Sequence, residues 1–158
     1  FKWQHFPINA TISVHFSKTF PKEAEEIVSK LKILKEKIIA SGIESYAVEK
    51  LKHHEIQPEC ITIFKLSSED TLAPHVDNAR TATINIGLKN TNTHNVLIGL
   101  TQVEAFWKNH HRSFTVEDGD VYLLDVRYLH GVVPRKENTD KKTRYIISYN
   151  LDLIPDPL

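Results

Sequence analysis

Four side chains in this sequence are of types that do chemistry together: His75 and Asp77 in Pro74-His75-Val76-Asp77, His130 in Leu129-His130-Gly131, and Arg144 in Thr143-Arg144-Tyr145-Ile146-Ile147. Two imidazoles and one carboxylate form the ligand set that grips non-haem Fe(II) on one face and leaves its other positions open. The His-x-Asp spacing suits an extended strand, where residues two apart point the same way and both can reach one metal. His130 must then come from a different strand, which a closed double-layered sheet can place opposite. Arg144 opens another run that reads as a strand, and a fixed guanidinium fork there can hold a carboxylate bidentately.

The elements that must position these residues follow from periodicity. Residues 11–16 alternate, with Ile12, Val14 and Phe16 on one side, and read as a strand. Pro21 then opens a helix in a favoured position, with Glu23, Glu25 and Glu26 in its first turn. Ala24, Ile27, Val28, Leu31, Leu34 and Ile38 form its apolar stripe, and Ser41-Gly42 ends it. Residues 43–57 fit strand or helix equally. From Cys60 onward short strands follow quickly: 61–66, then 80–88, a hairpin loop over 89–95 with its return strand at 96–100, and a short helix over 102–110. A turn at 117–120 precedes a buried strand at 121–124; the stretch from His130 to Pro134 and a charged loop at 135–142 lead to the last strand at 144–151. In 80–88, Ala82, Ile84, Ile86 and Leu88 share one face, and Thr81, Thr83, Asn85 and Gly87 the other. A polar face that regular meets either solvent or a polar cavity. A helix followed by many short strands predicts a β barrel or sandwich with helical support.

Composition narrows the function classes. The 158 residues suit one domain, and 20 Lys plus Arg balance 20 Asp plus Glu, so no global field draws nucleic acid or an anionic membrane. The single cysteine, Cys60, opens an apolar run and reads as a core residue in a reducing, cytoplasmic setting. No apolar run spans a bilayer and no signal-peptide pattern leads the chain. Methionine is absent even at position 1, which suggests a processed or trimmed chain that could have lost a targeting segment. His15, His53, His54 and His94 read as surface or packed histidines. The adjacent pairs His53-His54 and His110-His111 point opposite ways on a strand and are poor sites for one ion.

From about residue 59 to 151 the chain resembles the 2-oxoglutarate and Fe(II)-dependent dioxygenase superfamily, and within it the prolyl-4-hydroxylase-like branch. The likeness rests on Pro74-His75-Val76-Asp77, Arg80-Thr81-Ala82-Thr83-Ile84-Asn85-Ile86-Gly87-Leu88, Gly119-Asp120-Val121-Tyr122-Leu123-Leu124, His130-Gly131-Val132-Val133-Pro134 and Arg144-Tyr145-Ile146-Ile147. The resemblance implies a mainly β double-stranded β-helix, or jelly roll, in one domain over 1–158, with 1–58 as strand and helix support and 59–152 as the core. It implies His75, Asp77 and His130 as iron ligands and Arg144 as the partner of the distal carboxylate of 2-oxoglutarate, with Arg135 the rival arginine. Prolyl hydroxylases carry a cosubstrate-binding tyrosine before His-x-Asp; here that neighbourhood is Phe64-Lys65-Leu66, so Thr83, Asn85, Tyr122 and Tyr128 are the candidates for that role. The implied reaction consumes O2, releases succinate and CO2, and hydroxylates an amino-acid or peptidyl, prolyl-like substrate, with 106–112 and 136–142 bordering the mouth. Three alternatives stay open: a non-catalytic jelly-roll module holding a metal or small acid, a Zn(II) hydrolase, and a nucleic-acid-directed oxidative demethylase using Trp107, Lys108, His110, His111 and Arg112.

Overall fold

The computed structural model describes residues 16–77, 82–99, 111–136 and 141–152. Helix α1 (Pro21–Ala40) starts at its proline, carries Glu23 in the first turn and Lys37 in the last, and ends where Gly42 takes φ +76°. Its stripe works as the spacing predicts: Ala24 and Leu31 are buried, and Ile27, Val28, Leu34 and Ile38 pack beside them. Residues 16–19 are helical, so the expected strand over 11–16 does not include Phe16; 11–15 lie outside the described residues. The Phe16 carbonyl accepts the Phe20 N–H at 2.8 Å and the two rings meet at 5.6 Å, a local four-residue pairing that strand alternation cannot anticipate. The undecided stretch contains α2 (Tyr46–Lys52), started by Ser45, whose side chain accepts the Val48 N–H at 3.1 Å.

Among the described residues eight strands follow: β1 (Ile61–Leu66), β2 (Leu72–His75), β3 (Ala82–Lys89), β4 (His94–Gly99), β5 (His111–Thr115), β6 (Val121–Asp125), β7 (His130–Pro134) and β8 (Arg144–Asn150). They form two four-stranded antiparallel sheets, in the orders β1-β8-β3-β6 and β2-β7-β4-β5, the arrangement of a jelly roll. The helices cover the outer face of the first sheet. Ile61, Ala82, Ile84, Ile147 and Tyr149 meet Ala24, Leu31 and Leu51 there. Alternation then turns the other residues of those strands inward, between the sheets. On β8 these are Arg144, Ile146, Ser148 and Asn150, all buried.

The expected hairpin between β3 and β4 is not one. Asn90 turns the chain through the left-handed region at φ 55°, a 3-10 turn follows, and β4 enters the opposite sheet. The crossing is tied down by Asp118, which accepts the Thr91 N–H at 2.9 Å and the Thr91 hydroxyl at 2.6 Å. A side chain at Gly87 would stand 2.5 Å from the Glu117 carbonyl, so only glycine lets that turn close on β3.

Three of the four discounted histidines are in view, His15 lying outside the described residues. His53 sits 3.3 Å from Glu49 on the surface. The buried Tyr149 hydroxyl accepts the Gln57 N–H at 2.8 Å and meets His54 Nε2 at 2.6 Å. His94 is fully buried, its Nε2 donating to the Asp70 carbonyl at 3.1 Å. Burial holds both His54 and His94 below the ordinary histidine range, with Lys35 adding to the effect at His54 and Arg144 at His94. An unfolded histidine takes a proton at about pH 6.5, where these folded ones do not. Their contribution is therefore complete above that pH and is lost as pH falls through the depressed folded values. The urea midpoint of the metal-free protein should drop between about pH 7.5 and about pH 5.5, and His94→Gln should flatten that drop. An equally steep drop in His94→Gln would show that His94 does not contribute.

Candidate metal centre and buried arginine

The centre is built where edge strand β2 meets β7. Leu72 pairs with Val132 and His75 with His130, leaving one extra residue on β2 between the two pairs. Pro74, which has no N–H to give to the ladder, lies in that irregular step. The bulged backbone presses on β7 at Gly131, where a Cβ would meet the Leu72 carbonyl at 2.7 Å and the Pro74 nitrogen at 3.1 Å. Proline on one strand and glycine on the other thus place His75 directly opposite His130, with ring centroids 4.3 Å apart. The spacing predicts Asp77 on the same strand as His75, but β2 ends at His75. Asp77 lies just beyond, its N–H donating to the Val126 carbonyl at 2.9 Å.

Both imidazoles are oriented the same way. His75 Nδ1 donates to the Ala73 carbonyl at 2.7 Å and His130 Nδ1 to the Tyr128 carbonyl at 2.8 Å. A carbonyl can only accept, so Nδ1 carries the proton and Nε2 is the atom presented to the centre. The two Nε2 atoms stand 3.2 and 3.7 Å from Asp77 Oδ1, and one ligand atom from each residue lies within 4.8 Å of the others. Two imidazole nitrogens with backbone-fixed tautomers and one carboxylate are a donor set for a divalent transition metal. The His130 side chain is 9% exposed and that of His75 33%, so solvent reaches the centre from the His75 side.

A polar row crosses the interior face of the other sheet. Asn85 on β3 pairs with Tyr122 on β6 and Ser148 on β8, and Ser148 pairs with Thr62 on β1; Thr83 pairs with Asn150. The face that alternation marked as polar is therefore a buried lining, with Thr83, Asn85 and Tyr122 all on it. Asn85 donates to the Thr83 hydroxyl at 3.0 Å. Arg144, at the start of β8, is 3% exposed, and its Nε and Nη2 find no hydrogen-bond partner among the described residues. Its guanidinium lies beside the Tyr122 hydroxyl. Burial lowers the pKa of Arg144 and raises that of Tyr122, and each group opposes the other's shift. The Tyr122 ring meets Phe114 of β5 edge-on at 5.4 Å, bridging the sheets. Arg135, the rival arginine, instead donates to the Asn92 carbonyl near the surface at 3.2 Å. Tyr128 lies in the turn before His130, where its carbonyl is the part engaged. Of the mouth segments, His111 and Arg112 form the start of β5 and Arg135, Lys136, Lys141 and Lys142 are described; Arg80, 100–110 and 137–140 lie outside the described residues.

Sequence reasoning missed the Val126 and Tyr128 carbonyls, which any residue type could supply. The glycine after His130 was a readable signal for a close approach. No protein-family model and no curated protein sequence matches this chain. Among solved structures it is similar to a recombinant oxalate oxidase in complex with glycolate (TM-score 0.44, 16% identity, covering 63% of this chain and 45% of that one). It is also similar to an RmlC-like cupin protein from Desulfovibrio desulfuricans (TM-score 0.38, 13% identity, covering 59% and 72%). A third is a non-heme monooxygenase in complex with nickel (TM-score 0.43, 11% identity, covering 57% and 41%). The chain spans about half the length of the first structures it matches.

Because the atoms crowding Gly131 are backbone, Gly131→Ala must push β2 away from β7 and separate His75 from His130. Fe(II) affinity, measured anaerobically by competition with a chromophoric chelator, should fall about tenfold or more, as when a metal site's support is removed. Unchanged affinity in a folded Gly131→Ala protein would show that the close approach does not set the centre.

Proposed function

We propose that this protein is an Fe(II)- and 2-oxoglutarate-dependent oxygenase that hydroxylates an amino-acid or peptidyl, prolyl-like substrate and releases succinate and CO2. The observation that carries the reading is the buried guanidinium of Arg144, whose Nε and Nη2 find no hydrogen-bond partner among the described residues. Isolating such a charge from water costs several kcal/mol per ion, and a carboxylate is the ligand that offsets it bidentately. His75, Asp77 and His130 alone would suit a Zn(II) hydrolase or a passive metal-binding module equally well. An interior cation waiting for an acid favours the oxygenase over both.

When bound, Fe(II) with 2-oxoglutarate and O2 supplies the oxidising power that turns a substrate C–H into C–OH. The residues of this chain would do the rest. His75, Asp77 and His130 would hold the metal on one face, the two imidazoles kept in register by their Nδ1–H bonds to backbone carbonyls. Arg144 would pair with the far carboxylate of 2-oxoglutarate, and the Tyr122 hydroxyl beside it would fill the role of the missing tyrosine. Thr83 and Asn85 would line the wall, and Phe114 against Tyr122 would keep water out of it. Substrate would enter on the exposed His75 side. The balanced net charge and the prolyl-4-hydroxylase likeness support an amino-acid or peptide over a nucleic acid.

Anaerobic addition of Fe(II) and 2-oxoglutarate should produce a visible charge-transfer band, lost in His75→Ala and Asp77→Ala; a wild-type-strength band in His75→Ala would remove His75 from the site. Arg144→Ala should keep Fe(II) binding yet raise the 2-oxoglutarate requirement several hundredfold, since losing a buried charge partner costs about 3–5 kcal/mol. That phenotype in Arg135→Ala instead would move the anchor. Succinate release stimulated by amino acids or proline-containing peptides is the expected substrate screen result, and stimulation by methylated oligonucleotides alone would overturn the substrate class.

A further inference from the structure

The turn joining β6 to β7 aims two of the three candidate ligands. Its Val126 carbonyl accepts the Asp77 N–H at 2.9 Å, and its Tyr128 carbonyl accepts the His130 Nδ1–H at 2.8 Å. Its Leu129 carbonyl accepts the Gly99 N–H of β4 at 2.6 Å, so the same turn is also tied to the neighbouring strand. Two residues of one turn thus supply the backbone oxygens that orient the centre from one side.

What holds the turn is a stack of side chains reaching the surface. Asp125 Oδ1 accepts the Arg127 N–H at 3.1 Å and its Nε–H at 2.9 Å, while Oδ2 accepts an Nη2–H at 2.6 Å. The Tyr128 N–H closes the turn on the Asp125 carbonyl at 3.3 Å. The Arg127 guanidinium then lies over the ring of Tyr46, with Cζ 3.8 Å from the centroid. Tyr46 opens α2, whose Ala47, Val48 and Leu51 are anchored in the core. A guanidinium is flat and delocalised, so one arginine can grip a carboxylate with its edge and cover a ring with its face.

We propose that Asp125, Arg127 and Tyr46 form a positioning clamp that fixes the Val126 and Tyr128 carbonyls and thereby sets the metal affinity and geometry of His75, Asp77 and His130. The inference rests on the metal-binding part of the proposed function. Tyr46 is 47% exposed and the Arg127 side chain 36%, and a pair this exposed contributes little to global stability. Its effect is local. If the turn's peptide planes rotate, the His130 Nδ1–H loses its acceptor, and with it the tautomer and ring angle that present Nε2.

The test titrates the metal-free protein with Co(II), reading its visible d–d absorption, and measures the urea midpoint of each variant beside it. Arg127→Ala and Tyr46→Leu should each weaken Co(II) binding about tenfold and change the band shape while leaving the midpoint close to wild type. Tyr46→Phe keeps the ring face and should bind as wild type does. Arg127→Lys, which cannot grip and stack at once, should behave like Arg127→Ala. Wild-type Co(II) affinity and spectrum in Arg127→Ala and Tyr46→Leu would overturn the clamp. So would weakened binding matched by a proportionate fall in midpoint. Should Arg127→Ala not fold, the exposed Tyr46→Leu decides alone. Failure of the wild-type protein to bind Co(II) would remove the metal reading itself, an outcome distinct from failure of the clamp.

Discussion

Everything at the candidate centre depends on how closely β2 approaches β7. Two histidines on neighbouring strands face each other only if the backbones come together at one step, and a Cβ at Gly131 would stand 2.7 Å from the Leu72 carbonyl. The extra residue at Pro74 supplies the compensating kink, re-aiming His75 without breaking the ladder to His130. Strand β2 has only two paired positions, so it contributes little to the strength of the sheet. Its place is set instead by contacts at each end. The buried His94 holds the Asp70 carbonyl before it, and the Val126 carbonyl takes the Asp77 N–H after it.

A second constraint runs through the interior. Most jelly-roll interiors can be filled with apolar side chains, but this one carries Thr62, Thr83, Asn85, Ser148, Asn150 and Arg144, all buried. Such a lining weakens the sandwich unless each group is satisfied. The fold tolerates it because the stabilising core lies elsewhere. Helices α1 and α2 seal the outer face of the first sheet with Leu31, Leu51, Ile61, Ile84 and Tyr149, each at 0% exposure. The apolar core and the polar lining thereby take opposite faces of the same four strands, and strand alternation is what separates them.

How much of this was legible in the sequence varied with the range of the interaction. Helix α1 announced itself through Pro21 and its stripe, and β3 through alternation, because its two faces meet an apolar core and a polar lining. The grouping of His75, Asp77 and His130 was legible because two imidazoles and a carboxylate make a recognisable donor set, and the fold brings their ligand atoms within 4.8 Å of one another. Helix α2 was not, since seven residues hold too few turns for a stripe, and its signal was the single cap at Ser45. The crossing at Asn90 was misread as a hairpin because a turn residue states that the chain bends, not which sheet it joins. Asp125 and Arg127 form no motif in the sequence, and only the fold brings Tyr46 over the guanidinium.

In the proposed function, His75, Asp77 and His130 and the guanidinium of Arg144 would serve one ligand together, so that metal and acid would bind cooperatively. Calorimetric titration of 2-oxoglutarate into the anaerobic protein, with and without Fe(II), tests this most directly. Fe(II) should tighten 2-oxoglutarate binding about tenfold or more, within the usual range of coupling between linked sites. Glutarate, which lacks the keto oxygen, should gain far less from the metal. Binding of 2-oxoglutarate that is equally tight with and without Fe(II), or absent in both, would contradict the account.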